Sequence, residues 1–202
     1  VDSTAVFEDT EYYIAAQKMS FDAREQILTA TSDVEIRDND LDGVLTGKYL
    51  TLDQRNESGR IYGNPRLIFV GKDLVFRADS IAFDGLLNQV TMMGDVFFEN
   101  RCLRVESEEA IVSADGAQVV FYHGIQLKEK AKSNNYSYQM VADTLSVDLV
   151  EGEFTQADLN GYFKVNIETV SEDMGLILGS EGSINFSKGN LTAIELNKDS
   201  EF

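Results

Sequence analysis

The stretch ADSIAFDGLLNQVTMMGDVFFEN, from Ala78 to Asn100, decides the fold. Ile81 and Phe83 alternate with Ser80, Ala82 and Asp84. After a polar segment carrying Gly94-Asp95, Val96 and Phe98 alternate again. A period of two residues is the signature of a strand with one face buried, because successive side chains of extended backbone point to opposite sides. Gly and Asp between two such runs read as a turn. The stretch is therefore read as a strand, a turn at Gly94-Asp95-Val96 and a returning strand. Upstream, the alternation runs on from Leu74 to Asp84, with Val75, Arg77, Asp79, Ile81 and Phe83 on one face and Leu74, Phe76, Ala78, Ser80 and Ala82 on the other.

Working outward, the same unit recurs. KMSFD (Lys18 to Asp22), KYLTLD (Lys48 to Asp53) and ADTLSVD (Ala142 to Asp148) match ADSIAFD, and the closing aspartates Asp22, Asp53 and Asp84 are 31 residues apart. Weaker copies are SEEAIVS (Ser107 to Ser113), which has lost both the Ala-Asp and the final Asp, and EGSINFS (Glu181 to Ser187). The four strong copies and the weaker one at Ser107 are each followed by a polar segment read as a turn: Ser32-Asp33-Val34, Gly63-Asn64-Pro65, Gly94-Asp95-Val96, His123-Gly124-Ile125 and, less regularly, Asn160-Gly161-Tyr162. Six hairpin units and about twelve strands follow. A single hairpin cannot bury its own apolar face, so the units must stack into a rolled, solenoid-like sheet. Residues 1–202 are read as one domain built of these repeats. Thr4 to Met19 also fits a helix, through Ala5, Tyr12, Ala16 and Met19, but the strand reading is preferred.

Alternation assigns one face to the interior: Met19, Phe21, Leu50, Leu52, Ile81, Phe83, Val112, Leu145, Val147, Ile184 and Phe186, joined from the returning strands by Val34, Ile36, Leu67, Val96, Phe98, Ile125, Leu127, Phe163 and Val165. No acid, base or nucleophile is among them. Both a filled core and an interior left partly open to hydrocarbon chains satisfy this pattern, each buried methylene contributing about 0.8 kcal/mol in either case.

Composition narrows the function classes. Seventeen Lys and Arg stand against 35 Asp and Glu, a net charge of −18, which disfavours a phosphate-tracking nucleic-acid binder. The longest apolar run, Tyr12 to Ala16, is far short of the roughly 20 residues of a membrane-spanning helix. A single cysteine, Cys102, allows no internal disulfide, and a single histidine, His123, allows no His-His zinc spacing. A Cys102–His123 nucleophile and base would need a third, orienting group that the sequence does not nominate. No cofactor or metal is expected. Asp38-Asn39-Asp40-Leu41-Asp42-Gly43 matches the first half of a calcium loop, yet Tyr49 stands at the twelfth position where a bidentate Glu belongs, so an acidic hairpin turn is expected. Lys128, Lys130 and Lys132 alternate and form a small cationic row, read as protection of an exposed strand or as a contact for a lipid phosphate.

The repeated A-D-x-(I/L)-x-(F/V)-D, followed after a dozen residues by G-(D/N)-(V/P), resembles the OstA-like family of the lipopolysaccharide transport system, which includes LptA, LptC and the amino-terminal domain of LptD. The likeness runs from about Ala16 to Leu196, and Gly63-Asn64-Pro65 resembles the family's G-x-P. It implies an all-β, open, twisted antiparallel jelly roll whose apolar groove carries the acyl chains of lipopolysaccharide or a related glycolipid in the periplasm. It further implies joining to OstA-like partners, or head to tail to other copies, by strand addition. A charge of −18 sits awkwardly with an anionic glycolipid and leaves three readings: a head group held off the protein, one screened by divalent cations, or a different ligand. The reading from sequence is a non-enzymatic lipid-transport component. Its rival is a structural envelope protein with a filled interior whose function lies at its edges. For the joining reaction, unpaired edges are expected near Tyr12 to Phe21 and near Ser183 to Leu196.

Overall fold

The computed structural model describes residues 4–8, 12–38, 43–85, 88–113, 115–129, 136–169, 174–187 and 190–198. Among these, sixteen strands form one antiparallel sheet. They are β1 (Ala5–Glu8), β2 (Tyr12–Ala16), β3 (Lys18–Asp22), β4 (Ile27–Asp38), β5 (Gly43–Asp53), β6 (Ser58–Tyr62), β7 (Arg66–Phe69), β8 (Leu74–Arg77), β9 (Ser80–Asp84), β10 (Gln89–Glu99), β11 (Leu103–Ser113), β12 (Gln118–Glu129), β13 (Tyr136–Val150), β14 (Glu153–Thr169), β15 (Met174–Ser187) and β16 (Asn190–Lys198). The described helical structure is one 3-10 turn, Val70–Lys72, and the segment that also fitted a helix forms β1 to β3. The fold is all-β.

The polar segments expected to be hairpin turns are instead bends inside long strands. Thr31 pairs with Tyr49 and Val34 with Gly47, so Ser32 and Asp33 together oppose Lys48 alone. In the same way Gly94 and Asp95 oppose Glu108. His123 and Gly124 oppose Asp143 on one side, and Gly161 and Tyr162 oppose it on the other. Two residues against one is a β-bulge, which bends the strand and increases its twist. Ser32, Asp33, Gly63, Asn64, Gly94, Asp95, His123, Gly124 and Gly161 all have positive φ. That left-handed region is open to Gly and tolerated by Asn and Asp, the same residues that make turns.

The strand facing each bend explains the repeated Ala-Asp. Asp79 donates its N–H to the carbonyl of Gly94 at 2.9 Å. The carboxylate of Asp143 accepts the N–H of Tyr162 at 2.8 Å. A Cβ on Gly94 would lie 2.4 Å from Asp79 Oδ2, and one on Gly161 would lie 2.7 Å from Asp143 Oδ2, so glycine and aspartate occupy one bend together.

The true turns follow the closing aspartate of the repeat. Asp22 Oδ1 accepts the N–H groups of Arg24 (2.9 Å) and Glu25 (3.1 Å), and Asp53 Oδ1 those of Arg55 (3.0 Å) and Asn56 (3.1 Å). These are Asx turns, which satisfy backbone donors that the sheet cannot reach.

The line of bends divides the sheet into two leaves. A front leaf holds β3, β6, β9 and β16, and a back leaf holds β1, β2, β7 and β8, while β4, β5 and β10 to β15 cross from one to the other. Counting β2 with β3, β6 with β7 and β8 with β9 as broken long strands, eleven bent strands run side by side among the described residues, with β1 added to the back leaf at one end and β16 to the front leaf at the other. The leaves face each other across a shared core. Phe98 of the back leaf stacks on Phe154 of the front leaf, 5.3 Å between centroids, and Tyr138 approaches Phe186 at 6.4 Å.

On the strands that face a bulge, crossing the bend changes the phase of the alternation, whereas the bulged strands keep it, as Met92 and Val96 do. Leu74, Phe76 and Ala78 point inward, and so do Ile81 and, partly, Phe83, so the single uninterrupted alternation from Leu74 to Asp84 does not hold. A one-residue slip exchanges the faces of a strand, and the bend at Asp79 introduces that slip.

Candidate functional site

The candidate site is the apolar interior. Of the residues assigned to it from sequence, Val34, Ile36, Leu50, Leu52, Leu67, Ile81, Val96, Phe98, Val112, Ile125, Leu127, Leu145, Val147, Phe163, Val165, Ile184 and Phe186 are buried in one continuous cluster. Met19 and Phe83 are partly buried against it. Phe21 is not inside: it is 47% exposed. Among the described residues its strand β3 pairs with β4 alone, and none of them forms a strand on its other side.

Burial is complete at the central aromatic residues Phe76, Phe98, Phe121, Phe154 and Phe163, although Phe83 and Val90 on the neighbouring part of the front leaf are only partly covered. It becomes incomplete toward both ends. Phe7 and Met19 at the β1 to β3 end, and Ile167, Ile177, Leu191, Ile194 and Leu196 at the β14 to β16 end, are only partly buried. The described interior is thus a core fully covered at its central aromatic residues and only partly covered toward its two ends.

Several lining residues were missed from the sequence, among them Leu74, Phe76, Phe121 and Phe154. A signal for them exists. In LVFR the alternation is as clean as in SIAF, but it shifts by one residue at Asp79, so a single phase carried through puts Leu74 and Phe76 on the wrong face; in QVVFY, Phe121 keeps the phase of Ile125 and Leu127 across the bend and was readable from them.

The edges, or rims, of the two leaves opposite the bends meet. On the back rim lie the turns at 70–73 and 100–102, and on the front rim those at 115–117 and 151–152. The Lys72 ammonium donates to the carbonyl of Asp115 and lies 5.8 Å from the Phe69 ring centroid. Asn100, 4% exposed, donates from Nδ2 to the carbonyl of Gly152 (3.1 Å), and its Oδ1 accepts the N–H groups of Cys102 (2.9 Å) and Leu103 (2.7 Å). The front rim is also tied along its length, by Gln54 to Gln26, Gly85 to Glu57 and Leu149 to Ala117 backbone bonds.

Asp115 is held below the usual carboxylate range. The Ser113 hydroxyl donates to it at 2.6 Å, the Ala117 N–H adds a second bond at 2.9 Å, and the Lys72 charge favours the ionised form, all against a small burial penalty. A carboxylate depressed in the folded state stabilises the fold above its unfolded pKa, and that contribution is lost as pH falls through the folded value. The turn should therefore stay intact through mild acid and loosen only below the ordinary Asp range. Ser113→Ala should move the Asp115 midpoint upward, which a carboxyl-detected NMR titration reads directly; an unchanged midpoint would show that the hydroxyl is not the cause.

The other nominated residues are placed as follows. Lys128 is exposed on the outer face of β12, opposite Arg104. Arg104 is itself paired with Glu106 at 2.5 Å and lies over the Phe97 ring at 4.5 Å. Lys130 and Lys132 lie outside the described residues, as do Asn39 to Asp42 of the acidic segment; the strands flanking that segment are paired, Arg37 with Val44. Cys102 sits at the back rim and His123 at a bend. Leu103 pairs with Glu129, and His123 precedes Glu129 by six residues of extended strand, so about 20 Å separates thiol and imidazole and they form no dyad.

No protein-family model matches the chain, and no curated protein does. Among solved structures it is similar to the crystal structure of LptH, the LptA homologous periplasmic component of the conserved lipopolysaccharide transport device from Pseudomonas aeruginosa, with 12% identity and a TM-score of 0.47 over 61% of this chain and 85% of that one.

Proposed function

We propose that this chain acts as one unit in the transport of lipopolysaccharide or a related glycolipid across the periplasm, as a non-enzymatic carrier that holds acyl chains between its two leaves. The observation that carries the reading is the continuous apolar interior, lined from both leaves and incompletely covered at both ends. The repeat that resembles OstA-like proteins supports it independently, because its Ala-Asp and Gly-Asp elements are the ones that bend the strands around that interior. Lys128 on the outer surface is a phosphate contact in this reading, and the acyl chains lie against residues such as Val165, Phe163 and Ile184. The complete covering of the central core favours one rival, a scaffold with a filled interior. Solvent extraction of the purified protein followed by mass spectrometry separates them: acylated glycolipid is expected, whereas an empty extract from a filament-forming protein would favour the scaffold.

Partners join by strand addition in this proposal, and the two ends of the roll are shaped for it. At one end the back leaf extends by β1, beyond the position where β3 ends the front leaf. At the other the front leaf extends by β16, which pairs with Glu181 to Ser187, while Met174 to Gly179 of β15 has no described strand beyond it on the back leaf. The steps are complementary. Set end to end, β16 of one copy and β1 of the next would run in the same direction, antiparallel to β15 on one side and to β2 and β3 on the other, and would complete one more bent strand. Met174, 78% exposed, and Leu176 present apolar surface on the uncovered edge without a blocking charge. Ala193→Pro removes a backbone donor from β16 and should weaken the joint. Sedimentation velocity at high concentration should show chains of the parent and mainly monomer for the variant; a strictly monomeric parent, alone and mixed with OstA-like partners, would remove the joining step from the account.

A further inference from the structure

The rims bear on how anything enters the interior. Four turns from separate parts of the chain converge there. Gly152 packs so closely on the 70–73 turn that a Cβ would lie 2.0 Å from the Lys72 carbonyl oxygen, and a Cβ on Gly116 would lie 3.1 Å from the Phe69 ring. Both glycines have positive φ, +82 and +64, so backbone conformation and close approach both require glycine. Polar contacts that cross the seam among the described residues include Lys72 to Asp115 and Asn100 to Gly152. Beneath them lie Phe69, Leu74, Leu103 and Phe154, buried apolar residues from both leaves.

This arrangement differs from the line of bends. There each long strand is covalently continuous and hydrogen-bonded to both neighbours, so the leaves cannot part. At the rims no strand pairing among the described residues joins the leaves, and a net hydrogen bond contributes only about 0.5–1.5 kcal/mol. The bends are a hinge and the rims a breakable closure. Turns at rims, with exposed backbone, belong to the elements that open at low free-energy cost.

We propose that the contacts of the 70–73 and 100–102 turns with the 115–117 and 151–152 turns form a latch that keeps the middle of the seam shut, and that an acyl chain reaches the interior there only when the latch parts. The proposal rests on the carrier reading and supplies its regulation: the central core is filled in the latched state and becomes a groove in the opened one. An acyl chain binds the opened state alone, so it shifts the population by its differential affinity for the two states.

The test locks and wedges the latch. In a Cys102→Ser background, Lys72→Cys and Asp115→Cys are bridged by a short bis-maleimide containing a reducible disulfide. Uptake of dansyl-labelled undecanoic acid is then followed by fluorescence, before and after reductant. Gly152→Ala, whose Cβ pushes against the 70–73 turn, is the wedge, and Asn100→Ala replaces it should circular dichroism show that the wedge does not fold. Bridging should lower apparent affinity at least about tenfold and reductant should restore it, while the wedge should raise the uptake rate several-fold. Uptake by the bridged protein equal to that of the unbridged one would overturn the latch and leave the carrier reading standing. Failure of the two cysteines to bridge would overturn it too, since the rims would then be apart in solution. No uptake by parent or by either latch variant, with no lipid in the solvent extract, would overturn the carrier reading and the latch with it.

Discussion

Phe98→Ala should unfold at markedly lower denaturant, with a loss of about 3–5 kcal/mol. The ring is fully buried, and its centroid lies 4.9 Å from that of Phe76, 5.9 Å from Phe121 and 5.3 Å from Phe154. Phe76 is a neighbour on its own leaf and Phe154 belongs to the opposite one, so truncation empties the plane where the leaves meet. Phe76 is its direct cross-strand partner on β8, while Phe121 and Phe154 come from other strands, so the rings cannot collapse together without moving strands, which places the loss at the high end. Phe83→Ala should cost clearly less, because Phe83 is only partly covered and lies over Gly59, where a Cβ would come within 2.2 Å of its ring. Urea titration of both variants checks the order; a Phe83→Ala loss equal to that of Phe98→Ala would mean that the central plane is not what joins the leaves.

Gly94→Val should be the most damaging change on the surface of the molecule. Gly94 has φ +75, a region that a β-branched residue enters at a cost of about 1–3 kcal/mol. Its Cβ would also lie 2.4 Å from Asp79 Oδ2, which overpacks the bend by a similar amount. Gly43→Ala is the control. Nothing lies nearer than 3.8 Å to a Cβ there, so the variant should be as stable as the parent or slightly more so. Paired thermal melts decide the matter. Equal stability of Gly94→Val and Gly43→Ala would show that the bend does not depend on glycine at that position.

The sequence was legible where the physics is local. Alternation within SIAF placed Ile81 inward, whereas the closing Asp22 and Asp53, read from sequence only as markers of the repeat, cap the true turns. The bends were misread because they use the same chemistry as turns: Gly94-Asp95 and Gly63-Asn64 reach the left-handed region as readily in a bulge as in a hairpin, and only the pairing partner tells them apart. That error propagated to Leu74 and Phe76, whose phase is set by the bend at Asp79. Phe21 was placed inside because its alternation with Met19 is regular, yet coverage depends on a neighbouring strand that, among the described residues, β3 lacks on one side. The latch had no sequence signal at all. Lys72, Asn100, Asp115 and Gly152 lie in turns far apart along the chain, each ordinary by itself, and their meeting is a property of the closed roll.

The claim that the interior receives acyl chains is tested most directly by placing a photoreactive benzoylphenylalanine at Phe121 or at Tyr122 and irradiating the protein with purified lipopolysaccharide. These neighbours point to opposite sides of β12, Phe121 fully buried and Tyr122 toward the outer surface. The account predicts a protein–lipid adduct from position 121, attached through an acyl chain, and none from position 122. Adducts from position 122 alone, or from both positions equally, would contradict it.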